Sequence, residues 1–289
     1  MSRVFEALEK ASKEKTAVPI EPMAEHVPNM PKSAVPVNGI GIDHAPVGRR
    51  RSWRETTEEF LFGRDLRSYK SYPIIPLEKG SPAAEQYKIL REQVRKLRAT
   101  SNARVISVTS PIKSDGKSMV AANLAAALAL EYGDQVLLLD CDLRNPQVHQ
   151  YFNISRNPGL ADYLSAGNNG NFVNYIQKTS LGALQVLPAG KATGVSSELL
   201  ATDKMRNLID EIRLKFPNHQ IIIDSPPILS TPDPLILANH VDGIIMVIRA
   251  RKTPRDCLAE AVKTLNSNKI MGVVLNGTEL GITSKYYYY

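Results

Sequence analysis

The sequence predicts an α/β fold in which helices cover both faces of a mostly parallel sheet, and three observations support this prediction. Short runs of Val, Ile and Leu occur without polar alternation, which is typical of strands buried on both faces. Segments with helical periodicity separate these runs, as in successive β-α-β units. A Gly-Lys-Ser segment, residues 116–118, joins one of these strands to an Ala-rich helix, a position suited to phosphate binding.

Two regions precede the predicted domain. Residues 1–15 carry apolar residues on one helical face beside several lysines, which predicts a short amphipathic helix that docks on the chain itself, a partner or a membrane surface. Residues 16–48 contain six prolines and few aromatic residues, and arginines cluster around Trp53. We expect residues 16–80 to form a largely disordered linker, because such a segment buries too little apolar surface to fold.

The composition limits the cellular setting. No apolar run approaches the roughly 18 residues of a membrane-spanning helix, and the N-terminus does not resemble a signal peptide, so we expect a cytoplasmic protein. The two cysteines, Cys141 and Cys257, indicate neither a disulfide framework nor a metal set. The net charge of +7 would suit an acidic partner such as nucleic acid or the inner membrane surface, and charge alone does not distinguish these two.

A long amphipathic helix is predicted from residue 81 onward. Ser81 before Pro82, with Glu85 in the first turn, is typical of a helix start. Apolar residues recur at spacings of four and three, at Ala83, Tyr87, Leu90, Val94 and Leu97. An adjoining stripe is basic, with Lys88, Arg91, Arg95 and Arg98. We expect the apolar stripe to pack on the core and the basic stripe to face solvent or a neighbouring subunit.

The remaining elements follow in chain order up to residue 276, the predicted end of the folded domain that begins at residue 81. Strands are predicted at residues 104–109, 135–140, 184–187, 220–224, 243–248 and 271–275. Helices are predicted at residues 117–132 and 256–265, with a loop and a short helix within residues 157–171. Ligands of such sheets bind outside the carboxyl ends of the strands, so residues that follow the strands are the candidates for function.

Residues 110–118 have the position and part of the sequence of a phosphate-binding loop. Gly116, Lys117 and Ser118 match the end of the motif G-x-x-x-x-G-K-[ST], but Pro111 stands where the first Gly is expected. Backbone N–H groups and Lys117 can bind phosphate oxygens, and the Ser118 hydroxyl can bind Mg²⁺. The predicted fold is therefore P-loop NTPase-like. The predicted nucleotide-binding residues are Ser114, Asp115, Gly116, Lys117, Ser118 and Met119.

Three aspartates follow predicted strands. Asp140 and Asp142 follow the apolar run 137–139, and Asp224 follows the run 221–223. At the carboxyl edge of a parallel sheet, all three would point toward the phosphate-binding loop. One such aspartate alone could simply cap a helix. Three of them beside Gly-Lys-Ser favour Mg²⁺-dependent phosphoryl transfer.

The C-terminus carries four of the eleven tyrosines of the chain, Tyr286, Tyr287, Tyr288 and Tyr289. Behind a nucleotide-binding domain they are candidate phosphate acceptors, on a flexible tail formed by residues 277–289. A tyrosine hydroxyl has an ordinary pKa near 10. Its reaction therefore benefits from a carboxylate that accepts its proton or from a cation that favours the phenolate. The pair Asp140 and Asp142 offers one carboxylate for the proton and one to hold such a cation. The alternative is an aromatic patch that packs on the edge of the core.

These motifs resemble those of the bacterial tyrosine kinases (BY-kinases) of capsule and exopolysaccharide loci, in the form with a separate cytoplasmic catalytic subunit. The most specific match is residues 137–144, three apolar residues followed by Asp-x-Asp-x-Arg, and Asp224 with Ser-Pro-Pro resembles the family's third motif. The resemblance covers residues 81–289. It implies an ATP-dependent protein-tyrosine autokinase that uses Mg²⁺ and regulates the polymerisation and export of the polysaccharide.

The resemblance also implies roles for individual residues. Lys117 would bind the outer phosphates, Ser118 and Asp140 would bind Mg²⁺, and Asp224 would lie close to the metal through water. Asp142 would help to activate the attacking tyrosine. The implied catalytic residues are therefore Lys117, Asp140 and Asp142, and the tail tyrosines would be phosphorylated in trans within a ring of subunits.

Partners are implied in the same way. A membrane chain-length regulator, or polysaccharide co-polymerase, would activate the kinase and recruit it to the inner face of the plasma membrane. A phosphotyrosine phosphatase would act on the product, and no nucleic acid is expected. The family's ring-forming helix carries Glu-x-x-Arg-x-x-Arg, matched here by Glu85 and Arg91 but with Lys88 in the middle. Lys cannot make the forked contact that Arg makes.

Two departures from the family leave other interpretations open. Ser114 stands where the family usually has Gly, and Lys113 where it usually has Pro. A Cβ at a position that needs φ > 0 would weaken nucleotide binding, which leaves a catalytically weak scaffold subunit as one alternative. A positioning or partition ATPase is the other. Such proteins carry a second lysine five residues before Lys117, where this chain has Ile112, and they lack a tyrosine tail.

Overall fold

The computed structural model of the chain describes residues 72–78, 80–130, 135–166, 170–191, 194–265 and 267–278. The predicted N-terminal helix, most of the predicted linker and the four terminal tyrosines lie outside these residues. What the sequence predicts for them stays a prediction.

Within these ranges, seven strands form one sheet: β1 Val105–Thr109, β2 Val136–Asp140, β3 Gln177–Lys178, β4 Leu184–Leu187, β5 Gln220–Asp224, β6 Gly243–Arg249 and β7 Ile270–Asn276. The α-helices are α1 Pro82–Ser101, α2 Lys117–Ala129, α3 Val148–Tyr151, α4 Leu160–Ser165, α5 Ser196–Leu200, α6 Asp203–Lys215, α7 Asp233–Ala238 and α8 Arg255–Thr264. Short 3₁₀ helices occur at Ile75–Leu77, Phe172–Tyr175 and Ser267–Lys269.

The sheet has the strand order β3-β4-β2-β5-β1-β6-β7, and every neighbouring pair is parallel except β3 with β4. The central strands β1, β2 and β5 are buried along their whole length, which explains their unbroken apolar sequences. One core lies between the sheet and helices α1 to α3, and a second lies between the sheet and helices α4 to α8. The predicted α/β fold with helices on both faces is confirmed.

The predicted strands agree with six of the observed strands to within one residue at each end. The predicted start of α1 is also confirmed, because the Ser81 hydroxyl accepts the N–H of Ala84 at 3.1 Å. The sequence analysis missed β3, α3, α5, α6 and α7. Of these, α6 had a usable signal, since Thr202 caps its start and its buried residues follow helical spacing. Those residues are Met205, Leu208, Ile209 and Ile212.

Residues 72–78, which the sequence analysis places in the linker, pack on helices α2 and α3. The ring of Tyr72 lies 4.8 Å from the ring of Tyr151 in α3. The buried side chain of Asn123 in α2 accepts the N–H of Ile75 at 2.7 Å and donates to a carbonyl of the same segment at 3.3 Å. Backbone contacts of this kind leave no periodic pattern in the sequence, so the folded domain includes residues that the pattern assigned to the linker.

Asp242, between α7 and β6, connects the start of β1 to α6. Its Oδ2 accepts the N–H groups of Arg104 at 2.8 Å and Val105 at 2.7 Å. Its Oδ1 lies 2.7 Å from Nη2 of Arg213 in α6. Burial opposes ionisation of this carboxyl, but the bonds from Arg213 and the two backbone groups outweigh it and hold the pKa below its ordinary value. The ionised carboxylate therefore stabilises the folded state.

We expect Asp242→Asn to lower the free energy of unfolding at pH 7 by about 1–3 kcal/mol, because the amide loses the charged pair with Arg213. The folded-state pKa lies below the unfolded one. This stabilisation is therefore complete above the unfolded pKa of about 4 and is lost as pH falls through the folded pKa. Denaturant unfolding at pH 7 and pH 3 measures both effects, and the gap between wild type and variant should shrink at pH 3.

Glu211→Gln is the matched control for this measurement. Glu211 pairs with Lys215 one turn along α6, and about half of each side chain is exposed. Its loss should change the free energy of unfolding by less than about 0.5 kcal/mol. An Asp242→Asn effect as small as that of the control, or one that is equal at both pH values, would contradict the role given to Asp242.

Candidate active site

The phosphate-binding loop, residues 110–116, connects β1 to α2 and contains two left-handed residues. Gly116 caps α2 with a φ of 96°, and a Cβ there would lie 2.1 Å from Asn276 Nδ2. Glycine is therefore required at this position. Ser114 has a φ of 69°, so the backbone conformation expected for the family's glycine is present here in a residue with a Cβ, at a cost in strain.

Lys117 is the first residue of α2, and its ammonium lies between two of the predicted site residues. Nζ is 2.7 Å from Asp142 Oδ2 and 3.2 Å from Ser118 Oγ. The side chains of Lys117 and Asp142 are only 12% and 5% exposed. Burial alone would lower the pKa of Lys117, but Asp224 and Asp142 raise it above its ordinary value. The lysine therefore stays charged inside the site.

Asp140 and Asp142 are held by the backbone that follows β2. Asp140 accepts the N–H of Asp142 at 3.2 Å with one oxygen and the N–H of Val148 at 3.1 Å with the other. Asp142 accepts the N–H of Asn145 at 3.0 Å, which leaves its second oxygen to Lys117. Cys141, between the two aspartates, is buried and free, and burial raises the pKa of its thiol. Both carboxylates are thus oriented by the fold itself.

Asp224 ends β5 and is the register partner of Asp140 at the end of β2. Neither of its buried oxygens has a hydrogen-bond partner of ordinary geometry among the described residues, although the Ser118 hydroxyl is close enough to lower its pKa. Burial is the larger effect and raises the pKa of Asp224 to about 6. Burial and the charges of Asp224 and Asp142 likewise raise the pKa of Asp140 well above its ordinary value.

This surplus of negative charge fits a divalent cation. Three carboxylates face one ammonium, and the buried oxygens of Asp224 lack an ordinary hydrogen-bond partner among the described residues. No cluster of three or more His, Cys, Asp and Glu side chains in the described ranges is arranged to hold a metal by itself. Mg²⁺ at a nucleotide site does not need such a cluster, because phosphate oxygens and water complete its shell. Ser118, Asp140 and Asp224 are the residues that fit it.

Arg144, the last residue of the Asp-x-Asp-x-Arg segment, connects the site to two helices that the sequence analysis missed. Its Nε lies 3.6 Å from Asp233 Oδ2 at the start of α7, and its Nη2 donates to Ser197 Oγ in α5 at 3.1 Å. Asp233 is fully buried and also accepts hydrogen bonds from Ser196 and Ser197. An aspartate at the start of a short helix gives no sequence signal for this contact.

Comparison with known proteins extends the motif-based assignment. Residues 103–270 match the family model of an AAA domain. The tyrosine-protein kinase YwqD of Bacillus subtilis is 33% identical over 214 residues, which cover 73% of this chain and 88% of YwqD. This chain belongs to the bacterial tyrosine kinase family. The succinoglycan biosynthesis transport protein ExoP of Rhizobium meliloti is 31% identical over 211 residues, which are 71% of this chain but only 26% of ExoP.

A solved structure of the kinase family has the same fold. The BceF tyrosine kinase domain superimposes with a TM-score of 0.64 at 28% identity, over 72% of this chain and 84% of that domain. The predicted resemblance and the predicted P-loop NTPase-like fold are therefore confirmed. Membership of the kinase family also favours the kinase prediction over a positioning ATPase.

The residues predicted for the ring interface of the kinase lie on α1. Glu85 and Lys88 pair with each other at 2.7 Å, and about half of each side chain is exposed. Arg91 is only 12% exposed and contacts Glu92 at 3.1 Å.

Met119 lies in the first turn of α2, and its side chain packs against the core. Its predicted contact with nucleotide would therefore come from its backbone. Among the described residues, no helix combines the length and apolar character of a membrane span.

We expect Ser114→Gly to raise the free energy of unfolding by about 1 kcal/mol, because glycine adopts a φ of 69° without strain from a Cβ. Ser180→Gly, at an exposed turn residue without a positive φ, is the matched control. It should lower the free energy by about 0.4–1 kcal/mol, because glycine makes the unfolded chain more flexible. Denaturant unfolding measures both. A decrease for Ser114→Gly as large as that for Ser180→Gly would show that position 114 is unstrained.

We expect opposite effects of Asp224→Asn on folding and on ligand binding at pH 8. Without ligand, the neutral amide avoids the cost of a buried charge, which outweighs the attraction to Lys117 and raises the pKa of Asp224 to about 6, so the melting temperature at pH 8 should rise by a few degrees. The further rise that saturating Mg-ATP gives the wild type should be lost, because this rise reflects affinity for the folded protein. Thermal unfolding with and without Mg-ATP measures both effects.

Asp210→Asn, which removes an exposed carboxylate of α6, is the control and should alter neither quantity. If Mg-ATP stabilises Asp224→Asn as strongly as it stabilises the wild type, Asp224 has no role in binding the metal nucleotide.

Proposed function

We propose that the chain is an ATP-dependent protein-tyrosine autokinase that phosphorylates residues 286–289 and so regulates the polymerisation and export of capsule or exopolysaccharide. The observation that carries this proposal is the ion pair between Lys117 and Asp142, beside the register partners Asp140 and Asp224. Together they supply a phosphate-binding cation, a proton acceptor and metal ligands in one place. The family assignment supports the same activity, since YwqD and BceF are named tyrosine kinases.

The ion pair suggests how nucleotide binding activates the site. The ammonium of Lys117 lies 2.7 Å from Oδ2 of Asp142. When ATP binds, its outer phosphate oxygens take over the ammonium of Lys117. Oδ2 of Asp142 then accepts the proton of the tyrosine hydroxyl, the phenolic oxygen bonds to the γ-phosphorus, and ADP leaves. The N–H of Asn145 keeps the other oxygen of Asp142 in place throughout.

Ser118, Asp140 and Asp224 would hold Mg²⁺ beside the phosphates, and the metal would neutralise charge on the β- and γ-phosphoryl oxygens. Asp140 is oriented for this by two backbone N–H groups. Asp224 is placed next to it by strand register and lacks an ordinary hydrogen-bond partner in the described part of the chain. The N–H groups at the start of α2 would bind the remaining phosphate oxygens.

The length of the C-terminal segment supports the proposal of phosphorylation in trans. β7 ends at Asn276, and about a dozen residues at roughly 3.3 Å each span some 40 Å when fully extended. In the proposed assembly, a segment of this length could enter the site of an adjacent subunit. In this proposal Glu85, Lys88 and Arg91 contribute to the contact between subunits, and each added phosphate brings nearly two negative charges that weaken the assembly.

The proposed setting is the polysaccharide export machinery at the inner face of the plasma membrane. A membrane chain-length regulator would activate the kinase and recruit it, and a phosphotyrosine phosphatase would reverse the modification. The support is that ExoP, to which the chain is similar, is named a succinoglycan biosynthesis transport protein.

We expect the purified chain to form phosphotyrosine at residues 286–289 when it is incubated with Mg-ATP and the cytoplasmic tail of its membrane regulator. Lys117→Met should abolish the product, because no other described side chain would replace the ammonium beside Asp142. Asp142→Asn should lower the rate by about 100-fold or more, because it removes the proton acceptor. Mass spectrometry of the C-terminal peptide measures the product.

Lys178→Met is the control, because Lys178 is an exposed lysine of strand β3, and it should keep the wild-type rate. Wild-type protein that binds ATP but forms no phosphotyrosine, even with the regulator, would instead be a scaffold subunit. Phosphotyrosine that persists in Lys117→Met would rule out this site as its source.

A further inference from the structure

Three side chains outside the signature motifs hold the backbone of the phosphate-binding loop, and we call them the loop clamp. Thr253 Oγ1 donates to Asp115 Oδ1 at 2.8 Å. Asn276 Nδ2 donates to the carbonyl of Asp115 at 2.8 Å. Arg249 Nη1 donates to the carbonyl of Ser114 at 3.1 Å. The clamp therefore contacts the loop at Ser114 and Asp115, the two residues directly before Gly116 and Lys117.

The clamp residues are also fixed to one another. Arg249 and Asn276 are register partners at the ends of β6 and β7. The Thr253 hydroxyl accepts the N–H of Arg249 at 2.7 Å, so its proton is left for Asp115. The N–H of Ala250 bonds to the carbonyl of Asn276 at 2.8 Å. Because all three belong to one hydrogen-bonded unit, they form a rigid support for the loop.

The part of the loop that they hold does not keep its conformation by itself. Ser114 and Gly116 both have positive φ, of 69° and 96°, and a serine in this region is strained. Asp115 between them is 1% exposed, and its second oxygen reaches the N–H of Ile112 at 3.5 Å. A strained loop persists only where surrounding contacts determine it, and the clamp supplies those contacts here.

We propose that Thr253, Asn276 and Arg249 are positioning residues that hold the loop in its phosphate-binding conformation and so set the affinity for nucleotide. They act through Ser114 and Asp115. This proposal rests on the nucleotide binding proposed above. It predicts that a weakened clamp raises the KM for ATP more than it lowers kcat, because Lys117 and the aspartates of the site are untouched.

The test compares Thr253→Val with Thr253→Ser in the full chain. Valine keeps the shape and removes the hydroxyl, whereas serine keeps the hydroxyl. Isothermal titration would measure Mg-ATP and, as a probe without a base, Mg-tripolyphosphate. Thr253→Val should weaken the binding of both probes by about tenfold, the loss of affinity expected when one buried hydrogen bond is removed. Thr253→Ser should keep most of the wild-type affinity. Asn276→Ala provides a second comparison if Thr253→Val folds poorly.

A control and a double variant separate positioning from general destabilisation. Thr264→Val makes the same substitution on the exposed side of α8, where the hydroxyl bonds only to its own helix, and should bind like the wild type. Ser114→Gly removes the strain that the clamp resists. The loss of affinity caused by Thr253→Val should therefore be several fold smaller in the Ser114→Gly background. A residue with a merely structural role would not show this dependence.

Each other outcome overturns the proposal. If Thr253→Val binds both probes like the wild type, the clamp does not set affinity although the protein binds nucleotide. If it weakens ATP but not tripolyphosphate, Thr253 acts on the base or ribose. If the wild type binds neither probe, the proposed kinase function fails and the clamp proposal fails with it.

Discussion

The active site depends on the parallel register between β2 and β5. Asp140 and Asp224 are Cα partners at the ends of these strands, and β1, which leads into the phosphate-binding loop, pairs with β5 on its other side. Since side chains alternate along a strand, a slip of one residue would turn one aspartate to the opposite face of the sheet. It would also bury that charge in an apolar core, which is costly. Lys117 meets the carboxylates only because this register brings them to one edge.

The same register places two buried carboxylates side by side, which by itself is unfavourable. Asp140 and Asp224 are fully buried, and burial raises the pKa of both. Lys117 compensates for one charge through its contact with Asp142, so the remaining repulsion has to be offset elsewhere. The two apolar cores on the faces of the sheet supply that stability. Repulsion that a bound cation would relieve is expected of a functional site and would serve no purpose in a structural one.

Sequence patterns predicted the parts of the molecule that depend on local chemistry. They gave the cap at Ser81 and the strand ends that carry the aspartates. The positive φ of Ser114 was suggested only by the resemblance to a family that usually has Gly there. The patterns did not give the contacts of residues 72–78 with Asn123, or the bond from Thr253 to Asp115, because these join residues 48 and 138 positions apart through hydrogen bonds without any periodicity. The missed helix α6 is different, since its pattern was present in the sequence.

Two pairs of strands contribute to the site in different ways. Strands β2 and β5 provide the carboxylates, and strands β6 and β7 hold the loop backbone through the clamp. β7 is an edge strand whose side chains are partly exposed. Its last residue, Asn276, nevertheless has a defined contact, because its side chain donates to the loop backbone. The N–H of Gly277 bonds to Oδ1 of the same asparagine at 2.8 Å. The segment that carries the proposed acceptor tyrosines therefore begins directly after Asn276, which also holds the loop, and under the clamp proposal a displacement of that segment would act on the loop conformation.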